Sequence, residues 1–319
     1  MTLACKVLGP LMAAVVAVAG APSAIAAPTP PSSAHEVVHS TAAAGEDPRD
    51  MLAHWTPARM AAAQPLDSLL SGVARDLPLP APQAIAPQAA PRPDSTGRRW
   101  TAGGKVTRTT GRVFLTMGGR DFTCSASVVS AGNKDTVVTA GHCLKDGTGA
   151  WARNWTFAPG YTDGDSPYGR YPAREMLVAP EWSERADDSF DFGFAVLGTD
   201  GGDHVQSRAG GQPIAFGGAP SGPVYAFGYP SAGGFQGRHL YYCSGSTRPD
   251  QGGTTANGMA CAMTEGSSGG PWLSDFNTGK GTGTITSVVS FKYADDSRTQ
   301  YGPRLGEEAR ALYRRAAAL

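Results

Sequence analysis

The feature that most restricts what this chain can fold into is the brevity of its apolar runs after Trp100. They are Val113-Phe114-Leu115, Ser127-Val128-Val129, Thr136-Val137-Val138-Thr139, Phe192 to Leu197, Val224-Tyr225-Ala226-Phe227 and Thr284 to Val289. Most have Gly, Asn, Asp or Pro close by. Short β-prone runs punctuated by turn residues read as strands of a barrel or sandwich. A charged fraction of 17% and 42 glycines among 319 residues agree with many tight turns. One helix is expected, Glu307 to Ala318. It opens on two acids and carries Arg310, Arg314 and Arg315 later, as the helix dipole prefers. Leu305, Ala309, Leu312, Tyr313 and Ala316 give it one apolar side. The chain is therefore expected to be all-β with a C-terminal α-helix, and it shows no internal repeat.

Ahead of Trp100 the texture differs. Lys6, the apolar run Leu11 to Ala19 and the small residues of Ala24-Ile25-Ala26 have the order of an export signal. Residues 1–26 are assigned to that signal peptide. The apolar run is too short to span a bilayer comfortably and Pro22 follows it, which argues against a membrane anchor. Residues 27–99 are rich in Ala and Pro, as in Leu77-Pro78-Leu79-Pro80-Ala81-Pro82. Proline at that density removes backbone donors and prevents long helices. The segment is read as a propeptide or linker, mostly disordered. At most a helical turn or two is expected between Ala58 and Val73, around Met60, Leu66, Leu69 and Leu70, with His35, His39 and His54 solvated. Arg98-Arg99 is a candidate processing site, and 100–319 is the folded domain.

Export changes the cysteine arithmetic. Cys5 leaves with the signal, so five cysteines become four, an even number in an oxidising compartment. Four allow three pairings. Pairing nearest neighbours, Cys124 with Cys143 and Cys243 with Cys261, closes two loops of similar size, each worth about 3 kcal/mol in chain entropy. A four-thiolate zinc site expects C-x-x-C spacing, which is absent. The net charge is zero, 27 basic against 27 acidic residues. That balance argues against a nucleic-acid partner held on a basic surface.

The stretch with most chemical content is Thr264-Glu265-Gly266-Ser267-Ser268-Gly269-Gly270-Pro271. Glycine lets another backbone come close and tolerates positive φ. Such a loop can present a serine hydroxyl while its own N–H groups point at the same small space, as acyl transfer requires. A serine nucleophile needs a base. After Trp100 the histidines are His142, His204 and His239, of which the last two sit among turn residues. His142 ends the run Val137-Val138-Thr139-Ala140-Gly141 and is followed by Cys143, so a strand delivers it and a disulfide would hold it. For the orienting carboxylate Asp187, Asp188 and Asp191 compete. Asp191 directly precedes the strand Phe192 to Leu197 and is the one drawn inside.

Thr139-Ala140-Gly141-His142-Cys143, Asp191 before a buried strand, and Gly266-Ser267-Ser268-Gly269-Gly270-Pro271 together resemble the chymotrypsin-like (trypsin-like) serine endopeptidases. The chain order His, Asp, Ser is that family's order. Ser244-Gly245 after Cys243 and the doubled serine look most like its secreted bacterial branch, which includes glutamyl endopeptidases. The resemblance covers about 100 to 319 and implies two six-stranded antiparallel β-barrels. It implies Ser268 as nucleophile, His142 as general base then acid, and Asp191 as orienting carboxylate. The backbone N–H groups of Gly266 and Ser268 would form the oxyanion hole. Cys124–Cys143 matches the family's bridge beside the histidine, and Cys243–Cys261 its second-barrel bridge loosely. Ser290 falls where the family bonds the aspartate, and the backbone after it would hold extended substrate by strand addition.

Two departures follow. Ser267 stands where the animal digestive enzymes carry the aspartate that meets a new N-terminal amine, so that switch cannot operate. A propeptide would have to act as a chaperone or by covering the cleft. The trypsin-type aspartate would lie six residues before Ser268, at Ala262, so no anion is evident for an Arg or Lys side chain. Phe291 and Lys292 are expected on the opposite wall, with Lys292 placed to meet an acidic side chain, although Val289 stands where glutamate-reading enzymes have histidine.

The expected product is a secreted, extracellular, monomeric serine endopeptidase acting on polypeptides, without cofactor, metal, nucleic acid or, once the signal is cut, membrane. A catalytically silent relative that binds peptides, or an esterase on the same scaffold, are the competing functions. Asp163-Gly164-Asp165 and Asp295-Asp296 are read as solvated loop acids rather than calcium ligands.

Overall fold

The computed structural model describes residues 37–66, 95–218 and 223–319. All of them lie in one compact unit, Ala34–Leu319. The signal peptide, the Leu-Pro run, His35, Leu69 and Leu70 fall outside the described residues. In chain order, β1 (Val37–Ser40) and β2 (Gln64–Pro65) flank two short helices, Pro48–His54 and Pro57–Ala62, and β3 (Ser95–Arg99) comes after them. β4 (Thr110–Met117), β5 (Arg120–Val128), β6 (Thr136–Thr139), β7 (Arg153–Pro159), β8 (Tyr171–Val178) and β9 (Gly193–Leu197) make the first half. β10 (Pro223–Gly228), β11 (Tyr241–Ser246), β12 (Arg248–Pro249), β13 (Asn257–Ala260), β14 (Pro271–Asn277), β15 (Thr282–Val288) and β16 (Thr299–Gly302) make the second.

Each apolar run named above falls on a strand, with Val129, Phe192 and Val289 one residue beyond the strand ends. β4, β5, β6, β9, β8 and β7 pair in a closed circuit, every ladder antiparallel. Its interior holds Val113 and Leu115 of β4, Phe122, Cys124 and Ala126 of β5, Trp155 and Phe157 of β7, and Ala195 of β9. Phe114, Val138 and Phe194 face the other way and share a cluster with Phe227, Leu273, Ile285 and Leu312, which joins the two halves. The period of two along each strand thus serves two cores.

The second half corrects an expectation. It is a five-stranded sheet, β15-β14-β10-β11-β3, and a three-stranded one, β12-β13-β16, instead of one closed six-stranded barrel. Among the described residues no ladder joins β11 to β13, because β3 occupies the edge of β11, with Arg99 opposite Tyr241 and Thr96 opposite Cys243. The Thr96 carbonyl accepts from Ala262 N–H at 2.7 Å, and the disulfide Cys243–Cys261 crosses the same seam. The dibasic pair Arg98-Arg99 is therefore part of a ladder rather than of a loop.

Residues 37–66 are also ordered, contrary to the disorder expected there. The edge of β8 is shared: β7 pairs with Tyr171 and Pro172, and β1 pairs with Glu175 to Val178. β2 pairs in parallel with Phe122 and Thr123 of β5, before β6 takes Ser127 and Val128. Both strands cover barrel edges that would otherwise expose unpaired N–H and C=O groups. Trp55 is 1% exposed and packs on Phe114 with ring centroids 5.5 Å apart. Its Nε1 donates to Asn154 O at 2.6 Å, and Arg170 donates to its carbonyl at 2.8 Å. Two of the three histidines expected to be solvated are engaged: His39 stacks on Trp151 at 5.0 Å, and His54 Nε2 lies 3.0 Å from Asp121 Oδ1. Proline breaks helices inside but suits their first turn. Pro48 and Pro57 occupy that position behind the N-caps Asp47 and Thr56.

The C-terminal helix Glu307–Ala318 buries Ala309, Leu312 and Ala316, as its pattern requires. Tyr313 meets Phe194 with centroids 5.9 Å apart, and Asn133 Nδ2 donates to Ala316 O at 2.8 Å.

Candidate active site

β6 ends at Thr139 and a tight turn, Gly141–Cys143, follows at once. A Cβ on Gly141 would stand 3.0 Å from Trp182 and 3.1 Å from Asp191 Oδ1. Glycine leaves that approach uncrowded, where any Cβ would need Trp182 or Asp191 to give by a few tenths of an ångström. Asp191 arrives from the other side, at the end of the turn Asp188–Phe190 and just before β9, which is paired with β6. One carboxylate oxygen accepts from His142 N–H at 2.8 Å and the other meets His142 Nδ1 at 2.8 Å. Asp191 therefore fixes both the backbone and the ring of the histidine, leaving Nε2 on the opposite side of the imidazole. Both residues are buried, at 1% and 3% exposure. Burial alone would raise the Asp191 carboxyl. The His142 charge and the hydrogen bonds from His142 and Ser290 outweigh it and hold the group below the usual carboxylate range.

Ser268 sits between glycines whose torsions other residues forbid or whose space other atoms fill. Gly266 has φ 90° and Gly269 has φ 82°. A Cβ on Gly269 would strike Thr139 and Ser125, and one on Gly270 would strike the Phe227 carbonyl. Gly269 N–H donates to Val289 O at 2.7 Å and Val289 N–H to Gly270 O at 2.8 Å, so the loop is tied to the strand leading into Ser290. Ser267 closes the loop from within, its Oγ donating to Thr264 O at 2.6 Å.

Ser290 joins the pieces. Its hydroxyl donates to Asp191 Oδ2, and its carbonyl accepts from Ser268 Oγ at 3.4 Å. The structure thus brings His142, Asp191, Ser268, Ser290 and Gly266 into one place. Cys124–Cys143 is formed, and Cys143 Sγ lies 3.7 Å from the Ser268 carbonyl.

The expected specificity residues fall on two walls. Ala262 is exposed at the end of the Cys243–Cys261 seam. Phe291 is half-buried and stacks on Tyr301, with centroids 5.1 Å apart and planes within 5°. Lys292 is not simply solvated: its Nζ donates to Cys261 O at 2.8 Å and Ser297 O at 2.6 Å, which brings the ammonium beside Ala262. Motif spacing does not single out Gln300, which is buried and donates to Phe291 O at 2.9 Å, nor Asp188. Asp188 keeps surface in contact with water, yet the protein crowds it on its other sides. Desolvation, with the Asp191 charge beside it, pushes its carboxyl up to about 6. Ser125 is a further residue without a motif signal. Its hydroxyl donates to Gly266 O at 2.9 Å.

Among the described residues, Cys124, Cys143 and His142 have potential metal-ligand atoms within 4.8 Å of one another. Both sulfurs are in the disulfide, so neither is a thiolate. No described helix is long and apolar enough to cross a membrane.

Comparison with known proteins shows which families and folds the chain is similar to. A model of the trypsin-like peptidase domain matches residues 124–283. A thermostable serine protease, AL20, from an extremophilic microorganism is 40% identical, with 67% of this chain covering 99% of that one at a TM-score of 0.64. The protease Anisep from Arthrobacter nicotinovorans is 35% identical, with coverages of 71% and 99% and a TM-score of 0.64. A Glu endopeptidase shares the fold at 18% identity and a TM-score of 0.57, over 71% of this chain and 98% of its own. An extracellular metalloprotease of Bacillus subtilis (strain 168) is 37% identical over 73 residues, 23% of each chain. The match thus spans about a quarter of that curated relative.

Proposed function

Because the chain belongs to the trypsin-like peptidase family, we propose that it is a secreted serine endopeptidase in which Ser268 attacks the scissile carbonyl. The observation that carries this is the two-point hold of Asp191 on His142, at 2.8 Å to both the backbone N–H and Nδ1, with Ser290 bridging that carboxylate to Ser268. His142 takes the Ser268 proton as the carbon–oxygen bond forms and returns it to the leaving amine. Asp191 stays ionised, fixes the tautomer and stabilises the imidazolium. The Gly266 and Ser268 N–H groups receive the oxyanion. Water then repeats the sequence on the acyl-enzyme. Residues 1–26 serve as the export signal, and 100–319 carry the catalytic domain.

The pocket reading is a preference for an acidic residue before the cut. Ala262 leaves that wall without a carboxylate, and Lys292 puts an ammonium beside it. Cleavage-site profiling on a complex peptide pool tests both parts. Cuts after Glu or Asp that disappear in Lys292→Ala support the pocket assignment, and a profile without acidic preference overturns it. Ser268→Ala should lose turnover and fluorophosphonate labelling. If the native protein is labelled at no serine and cuts no peptide, the silent peptide-binding relative is the correct reading. Turnover of esters with none of peptides would make it an esterase.

A further inference from the structure

Along β5, Phe122, Cys124, Ala126 and Val128 enter the first barrel's core. Their neighbours Thr123, Ser125 and Ser127 therefore face away from it, and all three are fully buried. A buried hydroxyl is costly unless it is bonded. The Ser125 hydroxyl is bonded twice, both times to the other half of the molecule. It accepts from Tyr229 N–H at 2.9 Å and donates to the Gly266 carbonyl at 2.9 Å. The Ser125 backbone adds a third link, its N–H donating to the Ser268 carbonyl at 2.7 Å. Thr139 Oγ1, three residues before His142, donates to the Ser125 carbonyl at 2.8 Å. One residue of the first barrel therefore holds the carbonyls of both residues whose N–H groups are assigned to the oxyanion hole.

Gly266 is where such a hold matters. At φ 90° it has no side chain to fix its torsions. The peptide plane that follows it is held at both ends, by Ser125 Oγ on the Gly266 carbonyl and by the Thr264 carbonyl, which accepts from Ser267 N–H at 3.2 Å. We propose that the Ser125 hydroxyl is a positioning residue of the oxyanion hole. It anchors the Gly266 carbonyl so that the Gly266 and Ser268 N–H groups converge on one point. It touches no substrate, and the inference rests on the serine endopeptidase reading above. Without the hydroxyl the 266–267 peptide loses one of its two ties, the flanking peptides that carry the Gly266 and Ser268 N–H groups can turn with it, and kcat falls with the fraction of loop that is competent. Substrate side chains are held at Phe291 and Lys292, so KM moves little.

The test compares Ser125→Ala, Ser125→Gly and Ser268→Ala in the mature secreted protein, with active enzyme counted by titration. The substrate is a peptide amide chosen from cleavage profiling. Both Ser125 variants should lose about 10- to 100-fold in kcat with KM within about twofold. Fluorophosphonate labelling and the affinity for a matching peptide boronic acid, which mimics the tetrahedral state, should fall by a similar factor. Affinity for the cleaved product peptide should not change. If Ser125→Ala fails to fold, Ser125→Gly carries the test with a smaller side chain on the same strand. Kcat within twofold of the native value in the folded variant overturns the proposal. So does a loss that falls on KM and product affinity alike. Turnover surviving in Ser268→Ala would overturn the nucleophile assignment instead, so the two failures are distinguishable.

Discussion

The two halves of the molecule solve the same problem differently. The first closes its own hydrogen-bond circuit and uses the residues 37–66 to cover the stretches of β5 and β8 that the circuit leaves open. The second does not close. Its seam between β11 and β13 is filled by β3 and crossed by Cys243–Cys261. The closed half carries His142 and Asp191, which the proposed proton transfer needs in one fixed mutual geometry. The open half carries the Gly-rich loop and the walls of the proposed pocket. Closure is placed where geometry matters most, and local ties replace it where access does.

The largest test of that division crosses it. Ser268→Ala in the second half and His142→Ala in the first should each lower kcat by at least about 1,000-fold, and the double variant should be no worse than either. Multiplicative losses in steady-state kinetics would show that the halves do not act as one unit. Next in size is Trp55→Ala, which empties a fully packed site on the first barrel and should cost about 3–5 kcal/mol by chemical denaturation. A negligible cost would mean that residues 37–66 do not brace the barrel. The disulfides sharpen the contrast. Cys243→Ser with Cys261→Ser removes the link across an unpaired seam and should cost about 3 kcal/mol. Cys124→Ser with Cys143→Ser opens a loop of nearly the same length, a separation of 19 against 18, and should cost a similar amount, but it also frees the turn that carries His142 and should lower kcat. Equal losses of kcat in the two double variants would remove the distinction.

The smallest effect concerns Asp188. Its carboxyl is raised to about 6 from an ordinary 3.8, so the folded state resists its ionisation. The penalty is absent below pH 3.8, grows between the two values and is complete above 6. Asp188→Asn should raise Tm slightly at pH 7 and leave it unchanged at pH 3.5. A gain at both pH values would assign the effect to something other than charge.

How much of this was legible beforehand follows from what each element needs. The His142 and Ser268 neighbourhoods are readable because a glycine or cysteine is obligatory at fixed offsets. The C-terminal helix is readable because one helix buries one face. β1, β2 and β3 are not, since a strand of two to five residues has no periodicity to detect and forms only because an edge awaits it. The helix Pro57–Ala62 overlaps the helical turn expected from Ala58, whereas Pro48–His54 is hidden when proline is judged by density alone, since Asp47-Pro48 is a helix start. Ser125 is hidden for another reason. Alternation shows that its side chain leaves the first core, but not that Gly266 O is waiting on the other side.

Ser267 has a consequence for timing. Its hydroxyl is spent on Thr264 within its own loop, so the shape of that loop is stored locally and asks nothing of a chain terminus. In an enzyme that must first build its loop after a cut, activity lags behind cleavage by the time the ordering takes. This loop is already built, so removing any covering segment would release activity as fast as the segment departs. A tag or surface attachment at the N-terminal end would leave the rate of the chemical step untouched.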